Sequence, residues 1–316
     1  MAKHKNKSKK IYRIRNWAAY NEALKQRGSL AVWISAAALA SWQALPTGEP
    51  GAPRRYTDAA IETALTIRKL FRLPLRQTEG FLRSLFSRWH VVRPVPDYTT
   101  LCRRGRFLLV KLPKRQKDIT DIVIDSSGVK VYGEGEWKIR QQGKSNRRKW
   151  KKIHIGIDQD GEIRLGEVTD ESTGDSSVAK SLLDQETAAI ASLTTDGAYD
   201  KRRVYTICQQ RDIPRVVIPP RTDARIWQHG NRAGPVHPRD ANLRAIRKLG
   251  RRRWQETSGD HRRSLVETTM FRFKTIFGER ALSREDSRLK TELKLSFSLL
   301  NRMFELGMPD SYAVAA

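Results

Sequence analysis

Cysteine is scarce in this sequence. Only Cys102 and Cys208 occur among its 316 residues, and they lie far apart along the chain. A disulfide framework or a cysteine-based zinc site needs several cysteines at short, regular spacings, so both are excluded. This usage indicates a protein of the reducing cytoplasm.

Long apolar segments are missing as well. Residues 28–48 carry no charge, but their Ser and Gln side chains, their many Ala and Pro46 make them a poor membrane span. We expect a buried pair of helices there instead. The basic N-terminus is followed by no apolar stretch, so we expect no signal peptide and no membrane as a partner.

Acidic residues are few compared with basic ones. The chain has 34 Asp and Glu against 61 Lys and Arg, a formal net charge of +27. This excess makes a polyanion, above all nucleic acid, the expected partner. A disordered basic tail would share the sign of the charge, but 39% hydrophobic residues and eight Trp indicate a folded protein with a sizeable core.

Apolar periodicity and turn signals divide the chain into four regions. We expect the last of them to pack either on the rest of the chain or on a partner. The regions are a basic arm with a helical segment (1–50), an all-α helix-turn-helix-like region (51–118), a mixed α/β region (119–280) and a C-terminal helical segment (281–316).

The second region contains three predicted helices. They cover residues 59–71 and 74–86 and a segment that begins after Asp97, a residue suited to cap a helix. The third helix carries Arg103 and Arg104, so the region resembles a helix-turn-helix unit that binds DNA. A plain helical bundle with basic, solvated faces is the alternative.

The third region changes from helical period to strand period. Strands are predicted at residues 122–125, 151–157, 163–168, 191–195 and 215–218, and helices at 176–190 and 201–211. The order β-β-β-α-β-α-β-α predicts a mixed five-stranded sheet with helices packed on it. Two acids follow strands in this pattern: Asp125 ends the first strand, and Asp196 comes directly after the fourth.

A third acid lies on the helix predicted near the end of this region. Arg263, Glu267, Met270 and Lys274 share one stripe of the helix because they are spaced by four, three and four residues. A solvated face with an i,i+4 ion pair would explain the stripe by itself. In a strongly basic chain with two acids at strand ends, however, the stripe indicates the third carboxylate of a metal-dependent nuclease site.

Five stretches carry a resemblance to a known family. They are LRQTEGFLRSL at 75–85, VPDYTTL at 95–101, VIDSS at 123–127, TDGAYD at 195–200 and RRSLVETTMFRFK at 262–274. Through them the chain resembles the DDE transposases of bacterial insertion sequences, in particular the insertion-sequence-five group, whose catalytic domain is ribonuclease-H-like. The last stretch matches the signature Tyr-x2-Arg-x3-Glu-x6-Lys at Arg263, Glu267 and Lys274, but Asp260 stands where the family has Tyr.

The resemblance implies that Asp125, Asp196 and Glu267 are catalytic and bind two Mg²⁺ ions, for which Mn²⁺ substitutes. Three carboxylates about 4 Å apart repel one another by roughly 4 kcal/mol per pair at an effective dielectric of about 20. Hard divalent cations with oxygen ligands offset that repulsion. Two such ions stabilise the attacking and leaving oxygens of a phosphoryl displacement. Asp125 is expected to bridge the ions, and Arg263 and Lys274 to hold phosphates.

Other acids compete for these roles. Asp200 is the alternative to Asp196, and Glu256 and Glu279 are the alternatives to Glu267. The two glutamates lack phosphate-binding neighbours at the signature offsets.

His154 lies in the predicted second strand. It either faces Asp125 across the sheet or is a core histidine bonded to the backbone, and we favour the core histidine.

DNA contacts are predicted in the third helix, on the Glu267 stripe and in two basic stretches, residues 140–152 and 244–253. Trp254 is a candidate for stacking on a displaced base, with core packing as the alternative. The predicted DNA-binding residues are Arg103, Arg104, Arg147, Arg148, Lys149, Arg251, Arg252, Trp254, Arg263 and Lys274.

The expected function is that of a transposase which binds the terminal inverted repeats of its own element as double-stranded DNA. Two ends must be held together, so we expect a homodimer on DNA. A different ribonuclease-H-like nuclease and a DNA-binding regulator without catalysis are the alternatives.

Overall fold

Helices occupy both ends of the chain, and a five-stranded sheet occupies its middle. The structure is a computed structural model that describes residues 11–46, 48, 53–131, 150–228 and 236–314. In chain order the strands and α-helices are β1 (Ile11–Ile14), α1 (Trp17–Gln26), α2 (Leu30–Trp33), α3 (Ala36–Ala40), α4 (Asp58–Leu70), α5 (Leu75–Arg88), α6 (Tyr98–Arg104), β2 (Ile119–Lys130), β3 (Trp150–Ile157), β4 (Ile163–Asp170), α7 (Ala179–Leu183), β5 (Ala189–Thr195), α8 (Arg202–Gln210), β6 (Arg215–Val217), α9 (Pro238–Leu249), α10 (Arg251–Ser258), α11 (Arg263–Phe277), α12 (Asp286–Leu306) and β7 (Ser311–Val314). Short 3₁₀ helices cover Asp175–Ser177, Gly197–Tyr199 and Asp260–Arg262.

The strands of the central sheet lie in the order β4-β3-β2-β5-β6. β3 is antiparallel to both β2 and β4, whereas β5 is parallel to both β2 and β6. This arrangement confirms the predicted ribonuclease-H-like mixed sheet. The central strand, β2, contains the apolar run Ile122-Val123-Ile124. Helices cover both faces of the sheet, so side chains that point to either face are buried.

Two hydrophobic cores lie on opposite faces of this sheet. Ile122 and Ile124 belong to the smaller core, which also contains residues of α7 and α8. Val123 points the other way, into the larger core, which joins the sheet to the N-terminal helices, α11 and α12. The larger core crosses the predicted divisions at 118/119 and 280/281. The division of the chain into domains stays a prediction.

The three helices predicted after residue 58 are present as α4, α5 and α6. Asp97 caps α6 as expected, since its Oδ1 accepts hydrogen bonds from the backbone N–H groups of Thr99 and Thr100, both at 2.9 Å. α5 packs against both α4 and α6.

The first strand of the sheet is longer than predicted. Residues 122–125 were expected to end on Asp125, but β2 continues to Lys130. The reason is that β2 has two partners of different length. Its pairing with β5 stops at Ile124 opposite Thr195, whereas its pairing with β3 runs from Val123 to Lys130.

The helix predicted over residues 176–190 is wrong in extent, because only α7 is helical there and β5 already begins at Ala189. A buried carboxylate explains the early end of the helix. Glu186 accepts hydrogen bonds from Arg164 of β4 at 2.7 and 3.0 Å and from the N–H groups of Thr187 and Ala188 at 3.0 and 3.1 Å. These contacts hold the chain at the edge of the sheet and lead it into β5.

The N-terminal segment also departs from its predicted helical character. Ile11–Ile14 form β1, which pairs antiparallel with β7 from the far end of the chain, Ile11 opposite Val314 and Ile14 opposite Ser311. A strand whose partner lies some 300 residues away leaves no local signal of pairing.

Residues 28–48 contain the short helices α2 and α3. Trp33, the last residue of α2, and Trp42, which follows α3, are buried. None of the helices in the described ranges combines the length and the apolar character that a membrane span requires.

Candidate active site

The register of the sheet places Asp125 beside Asp196. Ile124 of β2 lies opposite Thr195 of β5 in the last pair of their parallel ladder, so Asp125 and Asp196, which follow them, are neighbours where the parallel pairing ends. Because side chains alternate along a strand, Asp125 points to the same face as Val123, the face covered by α11. Both carboxylates are half-buried.

Helix α11 brings Arg263 and Glu267 to this pair. Val266, Met270, Phe273 and Phe277 form its buried side and anchor it in the larger core against β2 and β3. Arg263, in the first turn, is near enough for its charge to act on both aspartates. Glu267, one turn later and exposed, acts on Asp125.

Burial and neighbouring charges make the two aspartates hold protons more tightly than usual. Burial is the main cause that raises the pKa of Asp125, and the charges of Asp196 and Glu267 raise it further. A hydrogen bond from the N–H of Ser126 at 2.8 Å and the charge of Arg263 act in the opposite direction. Burial likewise raises the pKa of Asp196. The site therefore disfavours its own negative charge and would gain from a cation.

The donor set suits a hard divalent cation. Asp125, Asp196 and Glu267 offer oxygen ligands, the kind that Mg²⁺ and Mn²⁺ prefer. Within the described ranges, no three His, Cys, Asp or Glu side chains lie close enough together, as they stand, to enclose a metal ion. Glu267 is the exposed member of the set, and a carboxylate on a surface turn of a helix is free to change rotamer.

Asp175 and Lys152 also act on Asp196 through their charges; Asp175 was not singled out from the sequence, and Lys152 only as the last residue of the basic stretch 140–152. Lys152 donates to Asp175 at 2.9 Å and to the carbonyl of Thr173 at 3.4 Å. The charge of Asp175 raises the pKa of Asp196 and the charge of Lys152 lowers it. The signal available for Asp175 was an acid just after Gly174, in a loop that follows a strand, which is too common a pattern to mark a site.

His154 is a core histidine, as favoured, but its partners are side chains and not the backbone. It lies opposite Ser126 and so faces away from Asp125. Its side chain is fully buried, with Nε2 at 2.9 Å from Thr169 Oγ1 and Nδ1 at 3.4 Å from the hydroxyl of Tyr199. Burial lowers the pKa of His154 to about 4 from its ordinary value of 6.5.

We therefore expect the free energy of unfolding to fall as the pH is lowered from about 6.5 to about 4. In this window the unfolded chain binds a proton at His154 that the folded chain does not, and the loss reaches at most about 3 kcal/mol. Urea unfolding measured at several pH values checks this. The variant His154→Gln should show a flatter dependence than the wild type, and His261→Gln, at an exposed position, should not. Equal slopes for all three proteins would contradict the assignment.

Trp254 packs in the protein core, the alternative to its predicted stacking on a displaced base. Only 2% of its surface is exposed. In α10 it is the one buried residue among charged and polar neighbours, so it is the anchor that packs this helix against the rest of the protein.

Asp200, the alternative to Asp196, is committed to a buried ion pair. Arg239 donates to it at 2.8 and 3.1 Å, and the hydroxyl of Tyr205 donates at 3.1 Å. A carboxylate held in this way is not available to a metal ion.

The alternatives to Glu267 lie on the surface in ordinary ion pairs. Glu256 is 3.6 Å from Arg252 of the same helix, and Glu279 is 3.9 Å from Lys130. Neither is among the charges that act on Asp125 or Asp196. Glu267 is thus the better third acid.

Some of the basic side chains predicted to contact DNA form hydrogen bonds within the protein, and others are exposed. Arg104 donates to the carbonyl of Tyr56 at 2.9 Å and forms an ion pair with Asp58, and Arg251 donates to the carbonyl of Pro220 at 2.7 Å. Arg103 is exposed.

Arg252 is exposed on α10 and lies 3.6 Å from Glu256. Lys274 lies partly exposed on α11. Arg147, Arg148 and Lys149 lie outside the described residues.

Asp260, which replaces the Tyr of the family signature, is turned inward. Only 4% of it is exposed, and its Oδ2 accepts a hydrogen bond from Gln255 at 3.0 Å. Its side chain is therefore not presented to solvent.

Comparison with known proteins identifies the family of the chain. A family model described as a transposase DDE domain matches residues 116–302, more than half of the chain, and a second model of the same description matches residues 25–134. Among solved structures, the "Drosophila P element transposase strand transfer complex" is 11% identical over 93% of this chain and 67% of its own, with a TM-score of 0.28. The "Crystal structure of the Mos1 mariner paired end complex with Mn" is 11% identical over 93% of this chain and 89% of its own, with a TM-score of 0.23. The match over residues 116–302 shows that the chain belongs to the DDE-domain transposases.

Proposed function

We propose that this transposase, of the insertion-sequence-five group, binds the terminal inverted repeats of its own element, cleaves the phosphodiester backbone there and joins the freed 3′-ends to target DNA. The observation that carries the proposal is the adjacency of Asp125 and Asp196 at the carboxyl end of the parallel pairing between β2 and β5, beneath a helix that adds Arg263 and Glu267. Open sheets place ligands at such carboxyl ends.

Asp125, Asp196 and Glu267 would hold two Mg²⁺ ions, or Mn²⁺ in their place, with Asp125 shared between them. When bound, such a pair of cations stabilises both the attacking and the leaving oxygen of an in-line phosphoryl displacement. Arg263 offers its guanidinium to a phosphate oxygen beside the two aspartates, and Lys274 binds a second phosphate further along α11.

Double-stranded DNA is the partner, both as transposon end and as target. The net charge of +27 supports this because each basic side chain that meets a phosphate releases a condensed counterion. The protein acts as a homodimer on DNA, since two ends must be held together, and it works in the bacterial cytoplasm.

Binding and cleavage of repeat-containing DNA test the proposal. We expect the protein to prefer a duplex that carries its terminal repeat over a scrambled duplex, and to nick it at the repeat end when Mg²⁺ is present. The affinity should fall by about 10³-fold or more between about 50 and 200 mM salt, as for proteins that contact six or more phosphates. Fluorescence anisotropy at several salt concentrations measures the preference for the repeat and the dependence of the affinity on salt.

Three results would count against this proposal. A DNA affinity that does not change with salt concentration would show that the basic residues do not contact phosphates. Preference for branched DNA without regard to sequence would favour a junction-cleaving nuclease of the same fold. Repeat-specific binding without cleavage would favour a regulator.

A further inference from the structure

A cavity of about 360 Å³ lies at the edge of the sheet and is lined by none of the active-site residues. It is partly open and lies between the segment that follows α6, the edge strand β4 and the helix α12. Its volume falls within the range of small-molecule binding sites. The lining residues that matter here are Lys111, Lys114, Arg164, Gly166, Lys294 and Phe297.

The walls of the cavity carry an excess of positive charge. Lys114 and Arg164 are compensated by Glu186, which lies 3.5 Å from the ammonium and 2.7 Å from the guanidinium, and by Glu162, which lies 3.1 Å from the guanidinium. Lys111 and Lys294 have no such partner: in the ranges that the structure describes, no carboxylate forms an ion pair with either. Two lysines without a paired carboxylate therefore line the same cavity.

Apart from Gln185, the rest of the cavity wall is apolar. Phe297 lies directly against Gly166 of β4, where an added Cβ would come within 2.6 Å of the ring, so only glycine lets the ring reach the strand. Val110 and Leu112 continue the apolar wall along the segment after α6. A ligand that fits must combine an anionic group with a flat or apolar part.

We propose that this cavity binds a nucleotide, with its phosphate held by Lys111 and Lys294 and its base against the apolar wall. Ammonium groups bind phosphate as charge-assisted donors, and a base contributes dispersion through its face whatever its identity. A free nucleotide and a nucleotide of a DNA strand share this chemistry. The proposal does not depend on transposition, because it concerns other residues than the carboxylate site.

Calorimetric titration of the full chain with ATP tests the assignment. We expect Lys294→Gln and Lys111→Gln each to weaken ATP binding by about tenfold, the usual effect of removing one charged hydrogen bond. Lys290→Gln is the matched control. Lys290 lies one turn away on α12, is paired with Asp286 at 2.9 Å and does not line the cavity. Lys111 is exposed in a segment without helix or strand, so its variant tests the site without risk to the fold.

Competition distinguishes the two sources of the nucleotide. If an oligothymidine of about ten nucleotides displaces ATP and is itself weakened by Lys294→Gln, the site takes a nucleotide of a DNA strand. If ATP binds and the oligonucleotide does not compete, the site takes a free nucleotide. Equal loss of affinity in Lys290→Gln and Lys294→Gln would reflect general charge alone and would overturn the proposal, as would failure of the wild type to bind ATP.

Discussion

Replacing Asp125 with asparagine is expected to reduce Mg²⁺-dependent DNA cleavage by about 1,000-fold or more, because the amide neither bridges two cations nor lets them stabilise the reacting oxygens. DNA affinity should stay the same or rise slightly, since a negative charge is removed from a surface that meets phosphates. Single-turnover cleavage of a repeat-containing duplex measures the first quantity, and anisotropy measures the second.

Matched substitutions separate a catalytic effect from a general one. Asp170→Asn makes the same change at the end of β4, where the carboxylate is 67% exposed and paired with Lys151 on the surface, and cleavage should be unaffected. Glu267→Gln should be nearly as damaging as Asp125→Asn, while Glu256→Gln should be harmless. Cleavage within about threefold of wild type in Asp125→Asn would remove this carboxylate from the mechanism.

Replacing Glu292 with alanine is expected to lower the free energy of unfolding by about 3–5 kcal/mol, the usual cost of removing one partner from a buried charge cluster. Glu292 is 4% exposed and accepts hydrogen bonds from Lys69 at 2.8 Å and from the N–H groups of Leu282 and Ser283 at 2.9 and 2.8 Å. Arg68 lies 3.6 Å away. Without the carboxylate, two buried cations would face each other unpaired.

The same carboxylate links α12 to α4 of the N-terminal region, so its loss should destabilise both ends of the chain together. Urea unfolding followed by tryptophan fluorescence and by circular dichroism should show one transition that moves to lower urea with both probes. Glu305→Ala, at an exposed position of the same helix, should cost less than about 0.5 kcal/mol. A loss below about 1 kcal/mol in Glu292→Ala would show that the cluster does not connect the two regions.

The residues that sequence reasoning placed correctly are those whose signals are local. Asp97 caps α6 because its side chain meets N–H groups two and three residues away. The change from helical to strand period predicted the sheet, because the apolar pattern of a strand can be identified from the residues of that strand alone. Asp125 and Asp196 could be named because each follows a run of apolar, strand-forming residues.

The errors concern contacts between residues far apart in the chain. The extent of the helix near 176–190 depends on Glu186 meeting Arg164, and nothing within a few residues of Glu186 reports this. Trp254 was a candidate for stacking because of its position between Asp196 and Glu267 in the sequence, yet the protein interior lies on its side of α10. Asp175 came next to Asp196 only through the packing of two separate loops.

Composition thus indicated the class of partner, because net charge is a total over the chain. Periodicity and short motifs indicated the order of strands and helices and the three candidate catalytic acids, because these depend on interactions within a few residues. The folded structure alone decided which acids are free and which are paired: Asp200 is buried against Arg239, whereas Asp125 and Asp196 stand side by side with α11 above them. The difference arises because the charge state and availability of a carboxylate depend on burial and on its nearest charges, and both are supplied by residues distant in the sequence.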